Sequence, residues 1–245
     1  MRYFLKISYN GTRYHGWQIQ KTGISVEEVI EKCLSHLLGK SIDIIGAGRT
    51  DSGVHAKEFF AHLNYEKQLD KKLVNKLNAF LPKDIAVYGI YLVTPQAHAR
   101  FSAKTRTYEY RISLSKNPFW NEFSWQWQYE PLNIYLMNKA SERLKTYTNF
   151  SSFCNICNGN CNCKIEYAHW YHKEGKLFFE IKANRFLRNM VRSLVGTLIY
   201  VGKEKLNIKQ FCDIVEAKDR RRAGPSVPAK GLFLKKICYP KAIFL

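Results

Sequence analysis

"GAGRTDSGVHAKEFFAHLNY", residues 46–65, sets a glycine-rich loop directly before a run in which Phe59, Ala61, Leu63 and Tyr65 alternate. Alternation with a period of two is the pattern of a strand with one face in a core. A dinucleotide-binding turn needs a third glycine and a helix behind it, so that a pyrophosphate meets the helix N-terminus. G-A-G-R-T-D has Asp51 where that third glycine belongs and a strand pattern behind it, which sets aside dinucleotide binding.

Outward from that strand, strand and helix patterns alternate. "RYFLKISYNGTRYHGWQIQ" (2–20) opens with alternating apolar residues and runs into a loop of Gly, Tyr and Trp. In "SVEEVIEKCLSHLLG" (25–39), Val26, Val29, Ile30, Cys33, Leu34, Leu37 and Leu38 form one helical stripe. Ser25 and Glu28 make a capping box there, and Gly39 stands at the end. "KKLVNKLNAFLP" reads as a helix closed by Pro82, and "DIAVYGIYLV" as a strand. Further on, Tyr108, Tyr110, Ile112 and Leu114 alternate in "TRTYEYRISL", "NIYLMNKASERL" reads as a helix, and "LFFEIKA" as a strand. "RFLRNMVRSLVGTLIYVG" reads as one long helix and "IKQFCDIVEAKD" as another, before the tail "GPSVPAKGLFLKKICYP" ends in a short strand. No exact repeat is visible. The expected fold class is mixed α+β in two halves, 1–103 and 104–245, each an antiparallel or mixed sheet with packed helices.

The balance of 39 Lys plus Arg against 20 Asp plus Glu gives a net charge of +19, which favours phosphate backbones or anionic membranes as partners. A bias of composition toward lysine is the plain alternative. No apolar run reaches the about 18 residues of a membrane span, and "MRYFLKISYN" lacks a signal-peptide layout. A soluble, cytoplasmic, nucleic-acid-facing protein with no membrane partner is expected.

Seven cysteines without a secretory signal argue against a disulfide framework. Cys33, Cys212 and Cys238 sit at apolar positions and read as small core residues. Cys154, Cys157, Cys161 and Cys163 lie in "CNICNGNCNC". Its C-x2-C resembles half a zinc site, but the C-x3-C-x-C that follows fits a tetrahedral ligand set poorly. A surface loop without metal is expected.

Cations gather in two places. Arg100, Lys104, Arg106 and Arg111 interleave with Phe101, Tyr108 and Tyr110, the make-up of a groove that holds a phosphate backbone and stacks an exposed base. An ordinary strand edge with core aromatics is the competing reading. Arg185, Arg188 and Arg192 stand at i, i+3 and i+7, which places all three on one helix face; with no acidic residue between Ala183 and Val201, ligand contact is favoured over a solvated face. Arg220, Arg221 and Arg222 add a basic loop suited equally to phosphate contact and to solvation.

The loop around Asp51 fits two chemistries unequally. "DSG" reads like the turn of an aspartic protease, which needs two carboxylates sharing a proton. No second copy exists in the chain, Arg49 opposes a shared proton, and the charge suits no protease. The stronger reading is a lone carboxylate acting at a sugar-linked base. A cation beside it favours the charged form, and such a group can attack a glycosidic carbon or a polarised ring.

"GAGRTDSGVHA" closely resembles the catalytic motif of the tRNA pseudouridine synthase A family. So do "YNGTRYHGWQIQ", "LNAFLPKDIAV", "HARFSAKTRTYEYRI", "KANRFLRNMVRSLVGTLIYVG" and "AGPSVPAKGLFLKKICYP", in that order across nearly the whole chain. The resemblance implies Asp51 as catalytic nucleophile, Arg49 as the arginine that helps hold the everted site, Arg192 as the cation paired with the aspartate, and Tyr108 on the uracil. Arg106, Arg185 and Arg188 are the substrate-binding cations that go with them. It implies two pseudo-repeated halves flanking a basic RNA-binding cleft, a homodimer without cofactor or metal, and a reaction on uridines 38, 39 and 40 of the tRNA anticodon stem-loop. A non-catalytic RNA-binding protein or chaperone of the same fold is the alternative. The sequence departs from the family at Glu27, where glutamine is common, and in the cysteine-rich loop.

Overall fold

The computed structural model describes residues 1–155 and 159–245. They fall into two compact units, one of Met1–Thr105 with Phe233–Leu245, the other of Arg106–Leu232.

In the first unit, β1 (Arg2–Tyr9) lies between β3 (His55–Asn64) and β4 (Ile85–Val93), antiparallel to both. The short β2 (Ile45–Gly46) also pairs with β3. The C-terminal strand β9 (Leu232–Cys238) adds in parallel at His55 and Ala56, which puts the end of the chain with the first unit and not with the half from 104 onward. Helix α1 (Val26–Leu38) begins where the Ser25 hydroxyl accepts from the Glu28 amide and ends at Gly39 with φ 70°. A cap of this kind contributes about 1 kcal/mol. Helix α2 (Lys72–Phe80) packs on α1 and β4, and Asn78 bonds both the amide and the carbonyl of Val87. Leu5, Ile7, Ile30, Leu34, Phe59 and Leu77 are fully buried between sheet and helices.

Strand β3 departs from the one-faced alternation expected of it. Phe60 and His62, on the supposed outer face, are 6% and 2% exposed. Phe60 meets Tyr239 edge-on, and His62 packs against Phe4 and His98, so the C-terminal tail and the segment after β4 cover that face. Alternation reports one buried face; it is silent where aromatic and histidine side chains are buried on the other.

In the second unit, β8 (Lys176–Ala183) lies between β5 (Thr105–Ser113) and β7 (Ile165–Lys173), antiparallel to both, and β6 (Trp125–Gln126) adds in parallel to β5. Helix α3 (Ile134–Arg143) packs on β7, α4 (Met190–Gly202) and α5 (Ile208–Glu216). Helix α4 is buried around nearly its whole circumference, Arg192 and Tyr200 being the exceptions, as befits a helix apolar on all sides.

Two expectations are corrected here. Helix α4 starts at Met190, after Asn189 in a left-handed conformation (φ 65°), so Arg185 and Arg188 precede it and the three arginines do not share a helical face. A left-handed residue at Asn189 interrupts the right-handed helical path, so no α-helix runs from Arg185 through it. In the cysteine-rich loop Asn155, Gly159, Asn160 and Asn162 are exposed, as a surface loop requires, but Cys154, Cys161 and Cys163 are buried, whereas Cys212 and Cys238 are half-buried rather than core. Among the described residues Cys161 is disulfide-bonded and Cys33, Cys163, Cys212 and Cys238 carry free thiols; Cys157 lies outside the described residues. Burial pushes the Cys163 thiol up to about 11. No group of described residues is arranged to hold a metal ion, and no described helix is long and apolar enough to cross a membrane.

Candidate active site

Asp51 stands half-exposed on the segment between β2 and β3, with Arg49 exposed two residues before it. The residues around it are pinned from beneath. Thr50 is buried, its hydroxyl 2.9 Å from the Tyr9 hydroxyl, and its carbonyl accepts from the Trp17 amide at 3.3 Å. The Gly53 amide and the Ser52 hydroxyl both donate to the Tyr14 carbonyl, at 3.3 and 3.2 Å. The Val54 amide closes the turn onto the Asp51 carbonyl at 3.1 Å, with Gly53 at φ 76°.

The loop after β1 is therefore the support of the Asp51 loop, a role that reading the sequence did not give it. Its glycines were the available signal. A Cβ at Gly16, itself at φ 84°, would lie 2.3 Å from the Thr50 carbonyl oxygen, and one at Gly11 would lie 2.0 Å from that of Val54. Only a bare backbone lets the two loops approach this closely. His55 joins the same contact, its Nδ1 accepting from the Gly11 amide at 3.1 Å while its ring stacks on Phe233.

Trp17 stacks on Phe59 with ring centroids 4.1 Å apart. Its indole N–H donates to one carboxylate oxygen of Glu27, and the Ile19 amide donates to the other, both at 3.0 Å. Both oxygens of Glu27 are thus used. Burial raises its pKa, while the two hydrogen bonds and the charge of Arg49 act in the opposite direction.

The other predicted site residues belong to the second unit. Arg106, the second residue of β5, lies opposite Ala183 and donates to the Asn184 carbonyl at 3.2 Å. Two residues on, Tyr108 is half-exposed with Phe186 edge-on at 5.0 Å, so the 184–186 segment carrying Arg185 runs beside both. Tyr110 and Ile112, which share Tyr108's alternation, are fully buried, and Leu114 is exposed. Arg111 is no groove cation; it pairs with the buried Glu109 at 2.9 Å. Arg188 is exposed on the turn before α4.

Arg192 is half-buried on α4 and fixed by the loop after Arg222. Its Nε donates to the Val227 carbonyl at 2.7 Å, and the Tyr110 hydroxyl donates to the Pro228 carbonyl at 2.9 Å. Arg220 braces the same loop, donating to the carbonyls of Ala223 and Gly224 and to the Ser226 hydroxyl at 3.0 to 3.3 Å. Its guanidinium is thus a structural brace. Arg221 pairs with Asp219 at 2.7 Å, a contact that draws the Asp219 carboxyl down to about 2, and Arg222 is exposed.

Comparison with known proteins supplies the family. The sequence profile described as tRNA pseudouridine synthase matches residues 144–240. The chain is 50% identical to a tRNA pseudouridine synthase A of Azobacteroides pseudotrichonymphae, over 99% of this chain and 98% of that protein. It is 46% identical to one of Bacteroides fragilis over 99% and 98%, and 40% identical to one of a Thermoanaerobacter species over 95% and 97%. The chain belongs to the tRNA pseudouridine synthase family, as the resemblance read from its motifs implied.

Proposed function

We propose that the chain isomerises uridine to pseudouridine at positions 38, 39 and 40 of the tRNA anticodon stem-loop, with Asp51 as its catalytic carboxylate. The observation that carries this reading is Asp51 itself, half-exposed on a loop pinned by Tyr9, Tyr14 and Trp17 in a member of this family. In the reaction the N1–C1′ bond breaks, the uracil turns, C5 bonds to C1′ and the C5 proton leaves while N1 gains one. A stem base is out of reach until it leaves its stack. Arg49 holds the vacated site or its phosphate, and Asp51 begins the chemistry by attack at C1′, by addition at C6 or by removal of the 2′ proton. Tyr108 stacks on the uracil and assists loss of the C5 proton. Arg192 keeps Asp51 charged and oriented, and Arg106, Arg185 and Arg188 bind phosphates. The working form is a cytoplasmic homodimer that needs no cofactor.

The test is tritium release from tRNA labelled at uridine C5. The wild-type protein releases it, and Asp51→Asn does not while binding tRNA as before, because removing one negative charge weakens no phosphate contact. Pseudouridine formation by Asp51→Asn would overturn the assignment. A wild-type protein that binds tRNA and releases no tritium would instead be an RNA-binding protein of this fold.

A further inference from the structure

The stretch "LNAFLPKDIAV" is one of the motifs that carry the family resemblance, yet none of its residues takes part in the proposed reaction. Its aspartate, Asp84, stands one residue before β4, next to Ile85, which pairs with Tyr9 of β1. From there it meets the loop after β1 at three points. Its carbonyl accepts from the Asn10 amide at 2.9 Å. One carboxylate oxygen accepts from the Tyr14 hydroxyl at 2.6 Å, and the other accepts from Arg13 Nε and Nη2 at 2.8 and 2.5 Å. The Asp84 side chain is 10% exposed, against 69% for that of Arg13. Tyr14 is buried, and burial together with the Asp84 carboxylate pushes the pKa of its hydroxyl up, so the hydroxyl remains a donor.

Tyr14 is also the residue whose carbonyl takes the Ser52 hydroxyl and the Gly53 amide, on the two positions after Asp51. A continuous path therefore runs from the end of a sheet strand to the loop that bears the reacting carboxylate: Asp84 to the Tyr14 hydroxyl, and the Tyr14 carbonyl to Ser52 and Gly53. Gly11, between the clamped points, lies against Val54, and its amide donates to His55 Nδ1. A charge-assisted hydrogen bond has a defined geometry, and shifting Tyr14 would leave a nearly buried carboxylate oxygen short of its partner. We propose that Asp84 is a positioning residue for the reaction, setting the place of Asp51 through the Tyr14 hydroxyl. This rests on the reading of Asp51 as the catalytic carboxylate. All these residues belong to the first unit. Asp84 acts on the chemical step and not on tRNA affinity, because a displaced carboxylate slows the reaction while the phosphate contacts stay.

Asp84→Ala, Asp84→Asn, Tyr14→Phe and the double variant Tyr14→Phe/Asp84→Ala test this, with Asn78→Ala as a control for general loosening, since Asn78 ties α2 to β4 through Val87. Each is measured for single-turnover tritium release at saturating tRNA, for tRNA affinity by filter binding, and for thermal melting. Asp84→Ala and Tyr14→Phe should slow release about tenfold or more at unchanged affinity. Asp84→Asn keeps an acceptor for the hydroxyl and should restore most of the rate. The double variant should be no slower than the slower single one, because both changes remove the same interaction. Asn78→Ala should melt lower and keep the wild-type rate. A wild-type rate in Tyr14→Phe overturns the proposal, and does so even where Asp84→Ala fails to fold. So do losses that multiply in the double variant, an Asp84→Asn as slow as Asp84→Ala, a loss of affinity in place of rate, or equal slowing in Asn78→Ala. Asp51→Asn in the same assay keeps the two readings apart. Tritium release by that variant removes Asp51 from catalysis and this proposal with it; with Asp51→Asn inactive, a failure in the Tyr14 and Asp84 series is a failure of the positioning role alone.

Discussion

Arg192 and Val227 hold each other from both sides: the Arg192 Nε donates to the Val227 carbonyl at 2.7 Å, and the Val227 amide donates to the Arg192 carbonyl at 3.3 Å. The pairing fixes a cation at the start of α4 to a loop, and it depends on that loop lying close against the helix. One helical turn beyond Arg192, a Cβ at Gly196 would come within 1.8 Å of the Pro225 carbonyl oxygen. Next to it, the Gly224 amide donates to the buried Thr197 hydroxyl at 2.8 Å.

Gly196→Ala should therefore push the 224–227 segment off α4. The cost is one of overpacking, about 1–3 kcal/mol, and it should appear as a lower melting temperature. Because Arg192 moves with Val227, turnover should fall further than tRNA affinity. Full activity and an unchanged melting temperature would show that the loop yields without moving the arginine.

How much of this could be read beforehand depends on which interactions made each part. Helix α1 was legible because its cap residue and apolar stripe are local, and Ser25 and Gly39 stand where the sequence put them. The turn that carries Asp51 was legible because glycine-rich stretches favour turns, and Gly53 stands in it with φ 76°. The long helix through Arg185 was not, because what ends the preceding strand and turns the chain at Asn189 is a set of contacts distant in sequence. Asn189 Nδ2 donates to Ser193 and Ser226, and the latter lies far along the chain. The support given to Asp51 by Gly11, Gly16 and Trp17 was hidden for the same reason: a close backbone approach leaves only a glycine as its trace.

The three consecutive arginines should separate in their effects. Arg220 donates to two backbone carbonyls and a hydroxyl of the 223–226 turn, whereas Arg221 faces Asp219 and Arg222 is exposed. Arg222→Ala should lower the log–log slope of tRNA affinity against salt by about one, as expected for one lost phosphate contact. Arg220→Ala should instead lower thermal stability by about 1–3 kcal/mol, since partly buried carbonyls lose a charged donor. Salt titrations and melting curves on the two single variants decide it. An unchanged slope in Arg222→Ala would make that side chain solvated surface.

Tyr108→Phe keeps the ring and deletes only the hydroxyl, and the neighbouring Tyr110 supplies its control. Both side chains follow the same alternation on β5, but Tyr110 is fully buried with its hydroxyl donating to the Pro228 carbonyl, while Tyr108 is half-exposed beside Phe186. Tyr110→Phe should lose about 1 kcal/mol of stability, the net worth of a hydrogen bond. Tyr108→Phe should retain tRNA affinity, because a base stacks on the ring and not on the hydroxyl. If the hydroxyl assists removal of the C5 proton, turnover should drop about a hundredfold or more, the usual contribution of a positioned proton acceptor. Single-turnover rates of tritium release, with tRNA affinity and melting temperature measured alongside, separate the two roles. Wild-type turnover in Tyr108→Phe would confine Tyr108 to stacking. Weakened tRNA binding with an unchanged rate would contradict both the stacking and the proton-transfer role.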